Sequence, residues 1–224
     1  MVLFIPIKKE SQRVPNKNFR NFGGYPLYKH CLAKYFDHKV FVDTDSEDLI
    51  QEISIDPDLE HVTAYYRDPE LMGHNVSVNL LIDSFLKRFN PPEEEPVGQI
   101  HVTSPFLTLG TLEKAVGFLK EKYYDSVFSV DRIQARCWRV EDRRSIPINH
   151  NPAVLEQTQD INPIFVENSS FYLFTPLSFS LNGRNRVGKK PYFYEISYPE
   201  NLDIDTEENW KTCCRVLLEN GETN

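Results

Sequence analysis

VLFIPIKKESQRVPNKN, residues 2–18, is the stretch on which the fold turns. Its first six residues are apolar without alternation, the pattern of a strand covered on both faces of a parallel sheet, and a basic turn follows at once. The turn carries Lys8, Lys9, Arg13 and Lys17, with Arg20 just beyond, and Glu10 is its only acid. In a chain of formal net charge −8, a local inversion of sign points to a specific anion site. A loop leaving the first parallel strand opens where ligands of α/β sheets sit. Polyphosphate there needs cations and neutral donors; Lys8, Lys9, Arg13 and Lys17 supply the first, Ser11 and Asn18 the second. Neither GxxxxGK[ST] nor GxGxxG is present. Composition alone equally allows a solvated basic turn.

Apolar runs alternate with helical patterns along the rest of the chain. Strands are expected at 39–43, 98–102, 126–130, 170–174, 192–196 and 202–204, and helices at 26–35, 45–53, 77–89, 111–122 and 207–218. Val78, Leu81, Ile82 and Phe85 recur at helical spacing, and Asp45 is the expected cap of helix 45–53. This order predicts an α/β fold with a mainly parallel sheet covered on both faces, one domain over residues 1–224. Residues 135–163 break the pattern, being polar, irregular and rich in Arg, Asn and Pro. Loops of that length are uncommon without a role, so an interface or substrate lid is favoured over a plain surface loop.

Composition excludes several classes. With 26% charged residues, no stretch approaches the roughly 20 apolar residues of a membrane helix. Net acidity argues against nucleic acid as a partner. The opening residues read as a buried strand and not as a signal peptide. Cys31, Cys137, Cys213 and Cys214 show no Cys-x-x-Cys spacing, which suits reduced thiols in a cytoplasmic protein.

Three more groups carry chemistry. In Asp203-Ile204-Asp205 an extended backbone turns both carboxylates one way and Ile204 into the sheet, opposite the sheet end that bears Lys8 and Lys17. Mg²⁺, held by one or two carboxylates plus phosphate oxygens, would neutralise such a pair. Alternatively Asp205 or Thr206 merely caps the last helix. Thr103-Ser104-Pro105 follows a strand at the same sheet edge, where its hydroxyls would meet a ribose or sugar or simply form a turn. His101 is either ligand-facing or a satisfied core histidine. Val42-Asp43-Thr44-Asp45 ends a strand too, and its two aspartates compete as metal ligands.

In order and spacing these pieces resemble the acylneuraminate cytidylyltransferase family, which includes the CMP-sialic acid synthetases. The carriers are the loop from Pro6 to Asn18, Gly23-Gly24-Tyr25-Pro26-Leu27 and Val42-Asp43-Thr44-Asp45, then Arg67-Asp68-Pro69-Glu70-Leu71 and Thr103-Ser104-Pro105. Val166-Glu167-Asn168 and Asp203-Ile204-Asp205-Thr206-Glu207 complete the set. The resemblance implies a Rossmann-like sheet, a homodimer built by the middle excursion, and Mg²⁺-dependent transfer of CMP from CTP to an acidic sugar or related acceptor. It puts the triphosphate on Lys8, Ser11, Arg13, Lys17 and Asn18, and cytidine near Arg67, Asn75 and Ser77. It puts metal on Asp203 and Asp205 and the acceptor around His101, Thr103 and Ser104. Lys8, Lys17, Asp203 and Asp205 then carry the catalysis, by positioning and electrostatics without a covalent nucleophile.

The departures are informative. The family loop usually reads Pro-Ala-Arg-Gly-Gly-Ser-Lys; here Lys8 replaces the arginine, Lys9 and Glu10 the glycines, and Gln12 the lysine. The arginine after Thr-Ser-Pro-Leu is Leu107, an arginine of the dimer segment aligns with Thr158, and an Asn-Gly with Asn168-Ser169. The nucleotide half matches better than the acceptor half. Two other readings remain: a metal-dependent glycosyltransferase, whose Asp-x-Asp normally lies mid-chain, and a non-catalytic nucleotide-binding homologue.

Overall fold

A computed structural model describes residues 1–73, 75–121 and 123–221. In chain order the elements of the first half are β1 (Val2–Ile7), β2 (Asn21–Phe22), β3 (Tyr25–Pro26), α1 (Leu27–Leu32), β4 (Lys39–Thr44), α2 (Glu47–Ile55), β5 (Val62–Tyr66), α3 (Val78–Phe89), β6 (Val97–Ile100) and α4 (Leu109–Lys120). The second half adds β7 (Ser126–Ile133), β8 (Trp138–Glu141), β9 (Arg144–Pro147), β10 (Ile164–Phe174), α5 (Pro176–Leu181), β11 (Pro191–Glu195) and α6 (Glu207–Glu219).

Seven strands form one sheet in the order β11-β7-β10-β6-β1-β4-β5. β1 pairs in parallel with both β4 and β6, and β4 with β5. β10 runs antiparallel to β6 and β7, and β11 is parallel to β7. Only β10 is therefore reversed, and the mainly parallel Rossmann-like architecture holds. The unbroken apolar run of β1 is explained by its two covered faces. Leu3, Ile5 and Ile7 join the core packed by α1, α2, α4 and α6; Val2 and Phe4 join the cluster made with α3 and Phe179 of α5. Beside them, Gly98 lets β6 approach: an added Cβ would stand 2.8 Å from Leu3 Cδ2.

Several boundaries differ from expectation, each for a local reason. Ser46, not Asp45, caps α2, its hydroxyl accepting from Leu49 N. Thr108 starts α4 two residues earlier than expected, and Lys122 lies outside the described residues. Residues 202–204 form no strand; a backbone bond, Ile204 N to Thr103 O at 2.8 Å, ties them to the loop after β6. Residues 135–163 are more ordered than their composition suggests, because β8 and β9 form a hairpin. Its turn, Asp142-Arg143, is left-handed at both residues (φ 49° and 63°), the geometry that two-residue hairpins need. Asn149 closes the base, donating to Ala135 O at 2.9 Å and Asn162 O at 2.8 Å.

His30 of α1 sits edge-on to Phe22, ring centroids 5.0 Å apart. Burial, assisted by the neighbouring Lys34 charge, pushes its pKa down to about 4. The unfolded chain, with the ordinary value near 6.5, then binds more protons between pH 6.5 and 4, so stability falls as pH falls through that window. At about 1.4 kcal/mol per pH unit, His30→Gln should flatten the decline by up to about 3 kcal/mol, read from urea midpoints across pH 7 to 4.

Candidate active site

Parallel strands deliver their following loops to one edge of the sheet. The loop after β1, the segment entering α3 and the loop after β6 line a cleft there, of about 290 Å³. Lys8, Ser11, Arg13, Lys17 and Asn18 come from the first, Val76 and Val78 from the second, His101 and Thr103 from the third.

The five cations of the first loop do not share one role. Lys9 points away, its ammonium 2.9 Å from Asp48 and its backbone N–H on Asp45 Oδ1 at 2.6 Å. Arg20 is held on α6 by Glu207 at 2.8 Å and lies over the Trp210 ring, 4.4 Å from its centroid. Lys8, Arg13 and Lys17 remain in the cleft. Lys8 donates to Gly73 O at 2.9 Å; partial burial, then the nearby Arg67 charge, lowers its pKa. Lys17 is lowered chiefly by burial and donates to Ile204 O at 2.6 Å. Asn18, buried, donates to Lys8 O at 2.9 Å and so fixes the loop's path. Asn16 turns the chain there with φ 52°.

Asp205 meets two of these cations directly, not across the cleft. Arg13 forks onto Asp205, Nη1 to Oδ2 at 3.0 Å and Nη2 to Oδ1 at 2.8 Å, and Lys17 Nζ stands 3.9 Å from Asp205 Oδ1. Ile204 is buried between the two aspartates, as the alternation requires. Asp203 titrates above the usual carboxylate range, because of burial first and the Asp205 charge second, against a hydrogen bond from Thr103. Helix capping does not need Asp205: Thr206 caps α6 and exchanges a capping box with Asn209.

The donor set fits Mg²⁺. Asp203 is a carboxylate short of neutralising charge, and its oxygens are hard. Among the described residues no group of three or more His, Cys, Asp or Glu is placed to hold a metal ion. Two carboxylates completed by phosphate oxygens are how Mg²⁺ sits in phosphoryl chemistry. The rival aspartates after β4 are committed elsewhere. Asp43 forms a buried ion pair with Arg67, whose Nη2 also donates to Asp43 O at 3.1 Å, and Asp45 holds the Lys9 N–H.

The remaining expected residues are dispersed. Arg67 is 1% exposed and clamps the ends of β4 and β5, reaching the cleft through its charge on Lys8. Asn75 is exposed, and Ser77 caps α3 by accepting from Asn79 N. Ser104 is buried with its hydroxyl unpartnered, away from the cleft lining. His101 stays neutral: burial first, then the Arg186 and Lys17 charges, lower its pKa to about 4. Its Nε2 meets Gln99 Nε2 at 2.9 Å, while Gln99 Oε1 accepts from Arg186 Nη1. Gln99 therefore donates to the imidazole, and the His101 proton sits on Nδ1. Gln99 and Arg186 escaped the sequence reading; a glutamine inside an otherwise apolar strand was the available signal for the first.

Comparisons with known proteins identify the family. The profile of the family described as cytidylyltransferase matches residues 2–221. The chain is 31% identical over 219 residues to N-acylneuraminate cytidylyltransferase A of Danio rerio, covering 94% of this chain and 49% of that protein. It thus spans about half the length of the fish relative. It is 26% identical over 238 residues to CMP-N,N'-diacetyllegionaminic acid synthase of Legionella pneumophila, covering 97% and 96% of the two chains. The fold is shared, with TM-score 0.66 and 13% identity over 98% of each chain, with the structure of CMP:2-keto-3-deoxy-manno-octonic acid synthetase complexed with CTP. With the family profile covering residues 2–221, this chain belongs to the cytidylyltransferase family.

Proposed function

We propose that this chain transfers CMP from CTP to an acidic sugar or related acceptor and releases pyrophosphate. The observation that carries this is the cleft of a cytidylyltransferase-family chain, lined by Lys8, Arg13 and Lys17, in which Arg13 and Lys17 meet the Asp203-Ile204-Asp205 segment. Two of its relatives are named for acidic sugars, N-acylneuraminate and N,N'-diacetyllegionaminic acid. Lys8, Arg13 and Lys17 bind the triphosphate, with Ser11 and Asn18 beside them. Asp203 and Asp205 would hold Mg²⁺, which when bound offsets phosphate charge and polarises the reacting phosphoryl group. The acceptor hydroxyl oxygen forms its bond to the α-phosphorus as the bond to the bridging oxygen breaks, pyrophosphate leaves, and the hydroxyl proton passes to water. Fixed cations stabilise the charge that moves onto pyrophosphate, so positioning and electrostatics carry the rate. Arg67 supports the nucleotide end indirectly, by holding the strand ends that frame Lys8; Asn75 and Ser77 flank the same wall. His101 and Thr103 face the acceptor, and Ser104 shapes their turn.

The working species is a homodimer. The excursion 135–163 and its neighbours expose Leu155 at 93%, Val140 at 77% and Trp138 at 50%, apolar area that a second copy of the chain would cover. No helix among the described residues is long and apolar enough to cross a membrane. Four free cysteines suit a reducing, cytoplasmic setting.

Three outcomes test this reading. Pyrophosphate release with an acidic-sugar panel should favour CTP over UTP, ATP and GTP; equal turnover of all four, or none with any, would overturn it. Asp203→Asn and Asp205→Asn should each fold and lose roughly 3–4 kcal/mol of transition-state stabilisation, and the double variant little more, since groups acting as a unit are not additive. Unchanged kcat across a Mg²⁺ titration in both single variants counts against the metal role. Light scattering at micromolar concentration should report a dimer, and Val140→Glu with Leu155→Glu a monomer of lower activity. A fully active wild-type monomer rules the dimer out.

A further inference from the structure

Behind His101 lies a chain of side chains that the nucleotide chemistry does not use. Arg186, in the loop between α5 and β11, donates from Nη1 to Gln99 Oε1, and Gln99 Nε2 meets His101 of the cleft at 2.9 Å. The Arg186 guanidinium carbon lies over the ring of Tyr172 of β10, 3.5 Å from its centroid. Tyr172 OH donates to Glu167 Oε1 and stands 3.0 Å from Ser169 Oγ. The Arg186 backbone is pinned as well: its N–H donates to Asn79 Oδ1 at 3.2 Å, in the first turn of α3, next to Val78 of the cleft wall.

This arginine is unusually placed. Most of its side chain is out of water, and desolvation lowers its pKa. Yet among the described residues no carboxylate forms an ion pair with it. Its fixed partners are a neutral amide and the ring and hydroxyl of Tyr172. Glu167, within electrostatic reach, accepts the Tyr172 hydroxyl. A desolvated guanidinium without a directly paired carboxylate is costly, and a fork geometry suits a carboxylate or phosphonate bidentately.

We propose that Arg186 binds the anionic group of the acceptor, with the Tyr172 ring as its platform and the Gln99 amide orienting both its fork and the His101 imidazole. The inference rests on the transferase reading for the word acceptor, and names that acceptor's recognised feature: a carboxylate or an equally planar, charged oxyanion. Removing Arg186 then weakens binding of the acid and not of the sugar skeleton.

The test pairs each of three free acids, an N-acylneuraminate, N,N'-diacetyllegionaminate and 2-keto-3-deoxy-manno-octonate, with its methyl ester. Wild-type and variant chains are titrated calorimetrically in the presence of a non-hydrolysable CTP analogue, and turnover is measured separately. The wild type should bind at least one acid about 10- to 100-fold more tightly than its ester, the span of a charge-assisted hydrogen bond. Arg186→Gln should bring acid and ester within about 3-fold by weakening the acid alone, leaving the KM for CTP unchanged. Arg186→Lys, which keeps the charge without the fork, should fall between, and Arg184→Gln in the same loop should match the wild type. Equal loss of acid and ester in both Arg186 variants would mean a structural role only, and an unchanged ratio would remove Arg186 from the site; either overturns the proposal, as does a wild type that binds none of the acids. Acid binding that depends on Arg186 without CMP transfer would instead overturn the transferase reading and leave the anion site standing.

Discussion

One hydrogen bond joins the two ends of the chain's chemistry: Lys17 Nζ to the carbonyl of Ile204, at 2.6 Å across 187 residues. It exists because β1 and β6 are parallel neighbours, so the loop after β1 emerges beside the loop after β6. The latter holds the 202–205 segment through Ile204 N and Thr103 O. Half-buried, Lys17 costs desolvation, seen in its lowered pKa. It is kept charged by Asp203 and Asp205. Burying Ile204 on the sheet side leaves both aspartates turned toward that ammonium. A cation and a carboxylate pair are thus preorganised before any ligand arrives, the arrangement from which electrostatic stabilisation of a charged transition state is most effective.

Magnitudes decide which cations are free to change partner. The Arg13–Asp205 fork is largely exposed, 68% and 42% at the two side chains. Exposed pairs contribute about 0.2–1 kcal/mol, so under the proposed function a triphosphate would exchange for Asp205 at little cost and free that carboxylate for another ligand. The Arg67–Asp43 pair is 1% exposed on both sides. Removing one partner of such a pair costs about 3–5 kcal/mol, so Arg67 stays where it is and acts through its field on Lys8. Resemblance alone makes Arg67 a nucleotide ligand; burial makes it the brace behind one.

The legible parts of the sequence were those where a single physical pattern acts locally. The apolar run of β1, the helical spacing of Val78, Leu81, Ile82 and Phe85, and the apolar–acidic alternation around Ile204 each follow from a backbone period, and each is found in the structure. The illegible parts depend on distant partners. The hairpin of β8 and β9 turns on Asp142-Arg143, a pair without the glycine that usually marks such turns. β10 is reversed because it is inserted between β6 and β7 and closes the sheet from the far side, which no local pattern encodes. Asp45 reads as a cap by type and position, but the hydroxyl of Ser46 lies nearer the α2 amides, while Lys9 claims the carboxylate. Arg186 sits in a turn without periodicity, and its importance comes only from the company of Gln99 and Tyr172.

The altered first loop then has a physical reading. Glycines let a backbone approach phosphate closely and offer it N–H groups. Here Lys9 and Glu10 stand in their place, and the Lys9 N–H is held by Asp45, turned away from the cleft. Under the proposed function, phosphate recognition would shift from backbone dipoles to the side-chain charges of Lys8, Arg13 and Lys17. Charges act over longer distances than aligned N–H groups and demand less exact geometry, at the cost of greater screening by salt. Asn18 recovers part of the lost rigidity, because its amide holds the Lys8 carbonyl and so sets where the first of those charges leaves the chain. The fold that places this loop, strand β1 between two parallel neighbours, is what would let side-chain charge take over from backbone N–H groups.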